Sequence, residues 1–349
     1  MKIKDIRLPF SKILTVGLLP SPLKKLYYRL KGYKFGSRVT LGWGSVLAVS
    51  GSCEIGEGTR IGNFSIFSAE NLRIGKRCKI RSFTIFIVPR IVIGTDVVIS
   101  ETSIIRAQHP FPDSSITIGD RVHIFPFSII DPSRPVDIGP ETSVGFSTYI
   151  FTHGVYKDKL AGYPVTHGEV KLGKSVWLPC RIFIMPGITL GDDVVVGTGS
   201  VVTQSFQDGA LVLGQPAKLV KNKEEFVVDY TPEQQLAMLK EILQEFKIYL
   251  EHFYQAKTEM LDETRLSIEQ GSRRVTVILL EALGSSLHPE PGQIYIVYKK
   301  IDPDIQKIMD QQKVTWFSYE GHQCSARLDG VGEVLREFFT RYGVLFERP

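Results

Sequence analysis

Seven histidines and four cysteines are the side chains best able to do acid-base, nucleophilic or metal chemistry in this 349-residue chain. Cys53, Cys78, Cys180 and Cys324 are far apart, with no C-x-x-C pair and no Cys/His ligand spacing. Neither a disulfide framework nor a metal site is therefore indicated, and a reducing compartment is the default. Imidazole remains. Its ordinary pKa lies near working pH, so it can take up and return a proton within one reaction cycle. Three histidines have distinctive contexts: His109 in Gln108-His109-Pro110, His153 in Thr152-His153-Gly154, and His167 before Gly168-Glu169. His123 lies inside a regular pattern and reads as structural. His288, His322 and Cys324 form no recognisable triad, and no glycine-rich phosphate loop occurs.

A repeat must position these groups. Aliphatic or aromatic residues recur at every sixth position in eight triplets: Phe35/Leu41/Leu47, Ile55/Ile61/Phe67, Ile74/Ile80/Phe86, Ile93/Ile99/Ile105, Ile118/Ile124/Ile130, Ile138/Val144/Ile150, Leu172/Leu178/Ile184 and Leu190/Val196/Val202. A glycine follows the first member each time, at 36, 56, 75, 94, 119, 139, 173 and 191. A period of six does not fit an amphipathic helix, which repeats near 3.6. It fits a β-helix in which each hexad is a short strand plus a corner, and three hexads make a triangular coil around a continuous core. Successive triplet starts are 20, 19, 19, 25, 20, 34 and 18 residues apart, so two connections are long. His109 lies in the first, and His153 and His167 in the second. Loops that leave a rigid scaffold are where function concentrates.

The stretch after Thr152 sharpens this. It reads Thr152-His153-Gly154, Val176-Trp177-Leu178-Pro179, Met185-Pro186-Gly187-Ile188-Thr189-Leu190-Gly191-Asp192, Gly197-Thr198-Gly199-Ser200-Val201-Val202-Thr203, and Gly214-Gln215-Pro216-Ala217-Lys218. This series resembles the hexapeptide-repeat acyltransferases, which include the galactoside, maltose, xenobiotic and surface-polysaccharide O-acetyltransferases. The repeat resemblance covers about residues 35–221. It implies a left-handed parallel β-helix, acetyl-CoA as acyl donor with no metal, and a homotrimer with sites between subunits. It also implies His153 as general base. His109 is the competing base, since its histidine-proline context resembles a loop of some polysaccharide acetyltransferases. His167 reads as the lead-in to the next coil.

Carried over position by position, the resemblance puts donor contacts on Cys180, Thr198, Thr203, Gln204, Lys218 and Lys221. Small-residue corners could pair with the pantetheine arm, and the two lysines with nucleotide phosphates. Trp177 could wall the acyl site or pack against a core or a subunit. Three departures stand out: Leu178-Pro179 after Trp177, Gln204 in place of a basic residue, and Phe125 where the sugar acetyltransferases carry an acceptor-touching asparagine. Phe125, His109 and Trp177 are accordingly the candidate acceptor contacts, and a simple galactoside or maltose acceptor is not expected.

The flanks complete the expectation. Residues 1–34 hold nine Lys/Arg against Asp5 alone, which gives +8, so the rest of the chain carries −3 of the total +5. A general nucleic-acid binder is therefore not indicated. Hydrophobic residues at 43% and charged residues at 23% exclude a disordered or multi-span membrane chain. The apolar run Ile13–Leu23 is broken by Gly17, Pro20 and Pro22, is too short to span a bilayer and has no clear cleavage site. Residues 22–31 place Leu23, Leu26, Tyr27 and Leu30 on one helical face. That helix either caps the open end of the prism or touches an anionic membrane. Thr231-Pro232-Glu233-Gln234 starts a helix that runs to about Tyr254, or onward to Leu266. Strand-like runs at Arg274–Leu280, Gln293–Lys299 and Val314–Tyr319, helical runs near Pro303–Gln311 and Val331–Tyr342, and a break at Gly284–Pro291 follow.

The expected organisation is a basic amino-terminal segment with a short helix (1–34), a left-handed β-helix acyltransferase domain (35–230), and a carboxy-terminal helix with a small α/β domain (231–349). The expected function is acetyl-CoA-dependent O-acetylation of a sugar hydroxyl on a cell-surface polysaccharide or its precursor, in the cytoplasm or at the inner face of the membrane. The alternatives are N-acetylation of a nucleotide-linked amino sugar and a non-catalytic trimeric scaffold. A metal-dependent hydratase lacks suitable histidine spacing, and a nucleotidyltransferase would need a nucleotide-binding domain before the repeat.

Overall fold

In the computed structural model, residues 10–154, 157–270, 273–283, 289–290 and 292–349 are described. His288, most of the Gly284–Pro291 break and residues 1–9 of the basic segment lie outside them. The chain divides into two compact units, Met1–Val227 and Val228–Pro349.

The first unit is a mainly β, three-faced parallel β-helix of the left-handed hexapeptide type. Each coil contributes one strand to each face in turn. The first face runs from Lys34–Phe35 to Thr189–Leu190 in eight strands, and the third from Val46–Val49 to Val201–Val202 in eight. The second begins at Thr40–Leu41 and ends, after Val195–Val196, on the antiparallel hairpin Leu211–Gly214 and Ala217–Lys221. Except for the partly buried Phe35, every triplet member is buried in the central column.

The triplet glycines have a reason other than turning. A Cβ on Gly75 would lie 2.3 Å from the Gly94 carbonyl oxygen, and one on Gly139 would lie 2.4 Å from that of Gly173. Coils stack too closely there for any side chain. The left-handed backbone falls two residues later, at Arg38, Gly58, Arg77, Asp96, Arg121, Glu141, Ser175 and Asp193.

The amino-terminal end is closed by helix α1 (Phe10–Leu14), a 3₁₀ turn and helix α2 (Ser21–Leu30). The first coil has no coil before it, so some of its backbone groups need other partners. The Ser21, Tyr28 and Tyr33 hydroxyls accept from the Leu41, Leu47 and Val49 amides at 3.0, 2.9 and 3.1 Å. Lys24, fully buried, donates from Nζ to the Gly17, Gly42 and Ser45 carbonyls at 3.0, 2.6 and 3.2 Å. Burial lowers its pKa to about 8. The helix thus packs through Lys24 and Tyr28, while Leu23, Leu26 and Leu30 face outward. Hydrogen-bonding groups were needed at this end, and leucine has none.

In the second unit, helix α3 (Pro232–Tyr254) starts on a capping box between Thr231 and Gln234. It buries Leu239, Leu243, Phe246 and Leu250. It does not continue to Leu266. Gln255 takes a left-handed conformation, and Lys257–Asp262 and Arg265–Gln270 form an antiparallel pair instead. These strands open a six-stranded sheet in sequence order, with a parallel centre of Arg273–Leu280, Gln293–Val297 and Thr315–Ser318. Helices α3 and α5 (Gly330–Phe339) pack into one core and helix α4 (Pro303–Gln311) into a second. Among the described residues no helix is long and apolar enough to cross a membrane.

Candidate active site

The corner between the third and first faces carries both long connections. In three successive coils it holds Gln108–Ser114, Asp131–Pro135 and Thr152–Glu169. Strand register puts Asp131 beside Phe151, two residues before His153. His153–Gly154 then leaves the prism and pairs antiparallel with Thr166–His167, so His153 faces His167 across a short ribbon. His167 therefore belongs to the excursion rather than to the lead-in of the next coil.

Asp131 is 1% exposed and His153 10% exposed at the side chain, and His153 Nδ1 lies 2.6 Å from Asp131 Oδ2. Both atoms are buried and meet no other hydrogen-bond partner, so this contact is the one that they make. The other carboxylate oxygen is fixed. Oδ1 accepts from the Ser133 hydroxyl at 2.6 Å, the Ser133 amide at 3.0 Å and the Gln108 amide at 3.2 Å. The Thr152 hydroxyl donates to the Asp131 carbonyl at 2.7 Å and accepts from the Arg134 amide at 2.9 Å, which ties the His153 backbone to the same coil.

A carboxylate on Nδ1 selects the tautomer with its proton there and leaves the Nε2 lone pair to act. The rings of His109 and His167 complete the cluster. His109 meets His153 edge to face at 5.0 Å, and His167 lies 6.5 Å away, nearly parallel. His109 is exposed, and its amide donates to the Ser133 hydroxyl at 2.9 Å. Phe111 packs on His167 at 5.1 Å and carries the Arg134 guanidinium over its ring at 3.9 Å.

Asp131, Ser133 and Arg134 are the parts that the sequence reading missed. The signal was present, because Ile130 and Ile150 occupy equivalent triplet positions, so residue 131 must stack against residue 151. Among the described residues no group of three or more His, Cys, Asp or Glu side chains is placed to hold a metal ion.

The other candidates fall elsewhere. Cys180 and Thr198 meet at the corner between the second and third faces, with Sγ 3.8 Å from Oγ1, and the Gly199 amide donates to the Cys180 carbonyl at 3.1 Å. Thr203 and Gln204 are exposed at the His153 corner, two coils further on. Lys218 and Lys221 are exposed on one strand of the terminal hairpin. Trp177 is exposed on the outer side of the second face, between Ser143 and Val195. Phe125 stacks on His123 at 3.9 Å, off the His153 corner.

The His153 corner and the Cys180–Thr198 corner are therefore the two edges of the third face. The outward residues of that face form one register-matched column: Val46, Ile66, Ile85, Ile104, Ile129, Tyr149, Phe183 and Val201. Its counterpart on the first face is Lys34, Glu54, Arg73, Val92, Thr117, Asp137, Lys171 and Thr189.

Stacked hexad coils with a histidine excursion at one corner define a hexapeptide-repeat β-helix protein. The chain is similar in sequence to the acetyltransferases of that class. No family model matches it. It is 26% identical over 127 residues to the galactoside O-acetyltransferase of Escherichia coli K12, covering 35% of this chain and 53% of that protein. It is 25% identical over 133 residues to an Escherichia coli K12 protein named as a colanic acid biosynthesis acetyltransferase, WcaF, covering 38% and 70%. The crystal structure of the polysialic acid O-acetyltransferase OatWY aligns with a TM-score of 0.38 at 22% identity, over 57% of this chain and 92% of that one. The chain spans about half or less of the length of the first curated relatives it matches.

Proposed function

We propose that this protein is an acetyl-CoA-dependent O-acetyltransferase acting on a sugar hydroxyl of a cell-surface polysaccharide or its precursor. The observation that carries the reading is the buried Asp131–His153 contact at a corner excursion. His153 Nε2 takes the proton of the acceptor hydroxyl as its oxygen attacks the thioester carbonyl carbon. A C–O bond forms, the C–S bond breaks, and the imidazolium returns the proton to the departing CoA sulfur. Asp131 holds the ring and offsets the charge that it gains. No acyl-enzyme is needed, because two bound substrates suffice.

Within one copy, His153 and the Cys180–Thr198 corner sit on opposite edges of the third face. Burying the accessible part of that apolar column, Ile85 to Val201, against a neighbour in a closed ring brings one copy's His153 edge beside the next copy's Cys180 edge. We therefore read the active assembly as a homotrimer with sites between subunits. Pantetheine would run along the small-residue corners at Cys180 and Thr198 and near Thr203 and Gln204, with Lys218 and Lys221 at the phosphates. Trp177, Phe125 and His109 are the acceptor-side candidates. Residues 35–230 carry this chemistry, and residues 231–349 an acceptor or assembly role. Acetyl-CoA and activated glycan precursors as substrates support work in the cytoplasm or at the inner face of the membrane. The names of the curated relatives support acetyl transfer to sugars and surface polysaccharide.

The test is free-thiol release from acetyl-CoA across a panel of surface glycans and nucleotide-linked amino sugars. Acceptor-dependent release that vanishes in His153→Ala supports the reading. Turnover only on amines moves it to N-acetylation, and failure to bind acetyl-CoA by calorimetry leaves a scaffold.

A further inference from the structure

The amino-terminal cap buries Val16 and Tyr28 but presents five leucines to solvent. Leu14, Leu18, Leu23, Leu26 and Leu30 are 72, 43, 52, 54 and 82% exposed. This face cannot roll inward, because doing so would pull the Lys24 ammonium away from three carbonyls and the Tyr28 hydroxyl from the Leu47 amide. Residues 10–34 contain six Lys/Arg and no Asp or Glu. Lys24 and Lys25 are spent on backbone carbonyls and Lys34 on Glu54, while Arg29 and Lys31 stand exposed beside the leucines.

We infer that this leucine face docks on an anionic lipid bilayer. The charge pattern selects the occupant. Two copies meeting here would juxtapose cations with no acid to offset them, whereas an anionic surface neutralises the cations while the leucines enter the headgroup boundary. Helix α2 has ten residues, about 15 Å at 1.5 Å per residue, so it lies on the bilayer and does not cross it. The proposal deepens the localisation proposed above and needs neither acetyl transfer nor a trimer. In a ring of parallel copies all the caps would share one end, and simultaneous engagement would raise the avidity.

The experiment is sedimentation of the full chain with phosphatidylcholine vesicles, with and without phosphatidylglycerol, in the absence of acetyl-CoA. Binding is expected on the anionic vesicles alone, reduced by at least about tenfold in Leu23→Ser/Leu26→Ser/Leu30→Ser and weakened by 0.5 M salt, on the order of the screening at that ionic strength. Arg29→Glu/Lys31→Glu is expected to lose the lipid selectivity. Thermal melting checks that both variants fold. Absence of vesicle binding, or equal binding by the leucine variant, overturns the proposal. So does a drop in oligomeric mass in the leucine variant without vesicle binding, which would assign the face to a second copy. Because no substrate is present, failure here is distinct from failure of the transferase reading.

Discussion

His123 sits within a strand of the second face and His153 just past a strand of the third, and their surroundings differ in kind. His123 Nε2 lies 3.1 Å from the Ser100 hydroxyl, its ring stacks on Phe125, and burial pushes its pKa down to about 4, helped by Arg81. It is a neutral packing group. His153 has left the repeat, and a buried carboxylate with a fully occupied second oxygen faces its Nδ1. The pair teaches that a repeat position only desolvates an imidazole. The excursion instead lets His153 meet a carboxylate at the end of the preceding coil's strand.

Four measurements test that contrast, three on rate in falling order of expected effect and one on stability. Replacing His153 by Ala should cut kcat for acetyl transfer by about a thousandfold, the usual weight of a general base. If His123→Ala costs as much, the contrast fails. Asp131→Asn should cost about ten- to a hundredfold in kcat, as for other residues that orient a histidine, with KM for acetyl-CoA unchanged. His109 touches His153 only by a ring edge, so His109→Ala should cost less than about tenfold. The reverse order would make His109 the base.

The fourth test reads stability rather than rate. An unfolded His123 takes a proton near 6.5, and the folded one only near 4. Between these values the unfolded chain binds more protons, so stability is full above 6.5 and falls as pH drops towards 4, by at most about 3 kcal/mol. In His123→Phe this acid-linked loss should shrink in urea titrations at pH 4.5 and 7, while activity at neutral pH stays the same. An unchanged slope would detach the titration from this residue.

The faces of the prism were legible because a period of six assigns each triplet member to one of three strands. The two excursions were legible because they break that period. Asp131 was not legible, because the repeat marks only the aliphatic positions and the acid occupies the next residue. The inward face of helix α2 was not legible, for a physical reason. Leucine spacing indicates amphipathicity, but an open β-helix end requires donors and acceptors, which Ser21, Lys24 and Tyr28 provide. The hairpin after Gln255 was hidden behind a long helical pattern whose stop is a left-handed glutamine rather than a glycine. The donor-contact set came through resemblance. Spacing alone could not show that Cys180 and Thr198 lie at one edge of the third face, Thr203 and Gln204 at the other, and Lys218 and Lys221 on the terminal hairpin.

A coil whose upper rim matches its lower rim can go on adding copies without limit, and the aliphatic triplets here contain no instruction to stop. Termination is written elsewhere, in three hydroxyls and one ammonium at the first rim and in a strand that folds back on itself at residues 217–221. The α1–α2 segment is therefore a chain terminator in the polymer chemist's sense. It makes a finite particle of a motif that would otherwise template a fibre.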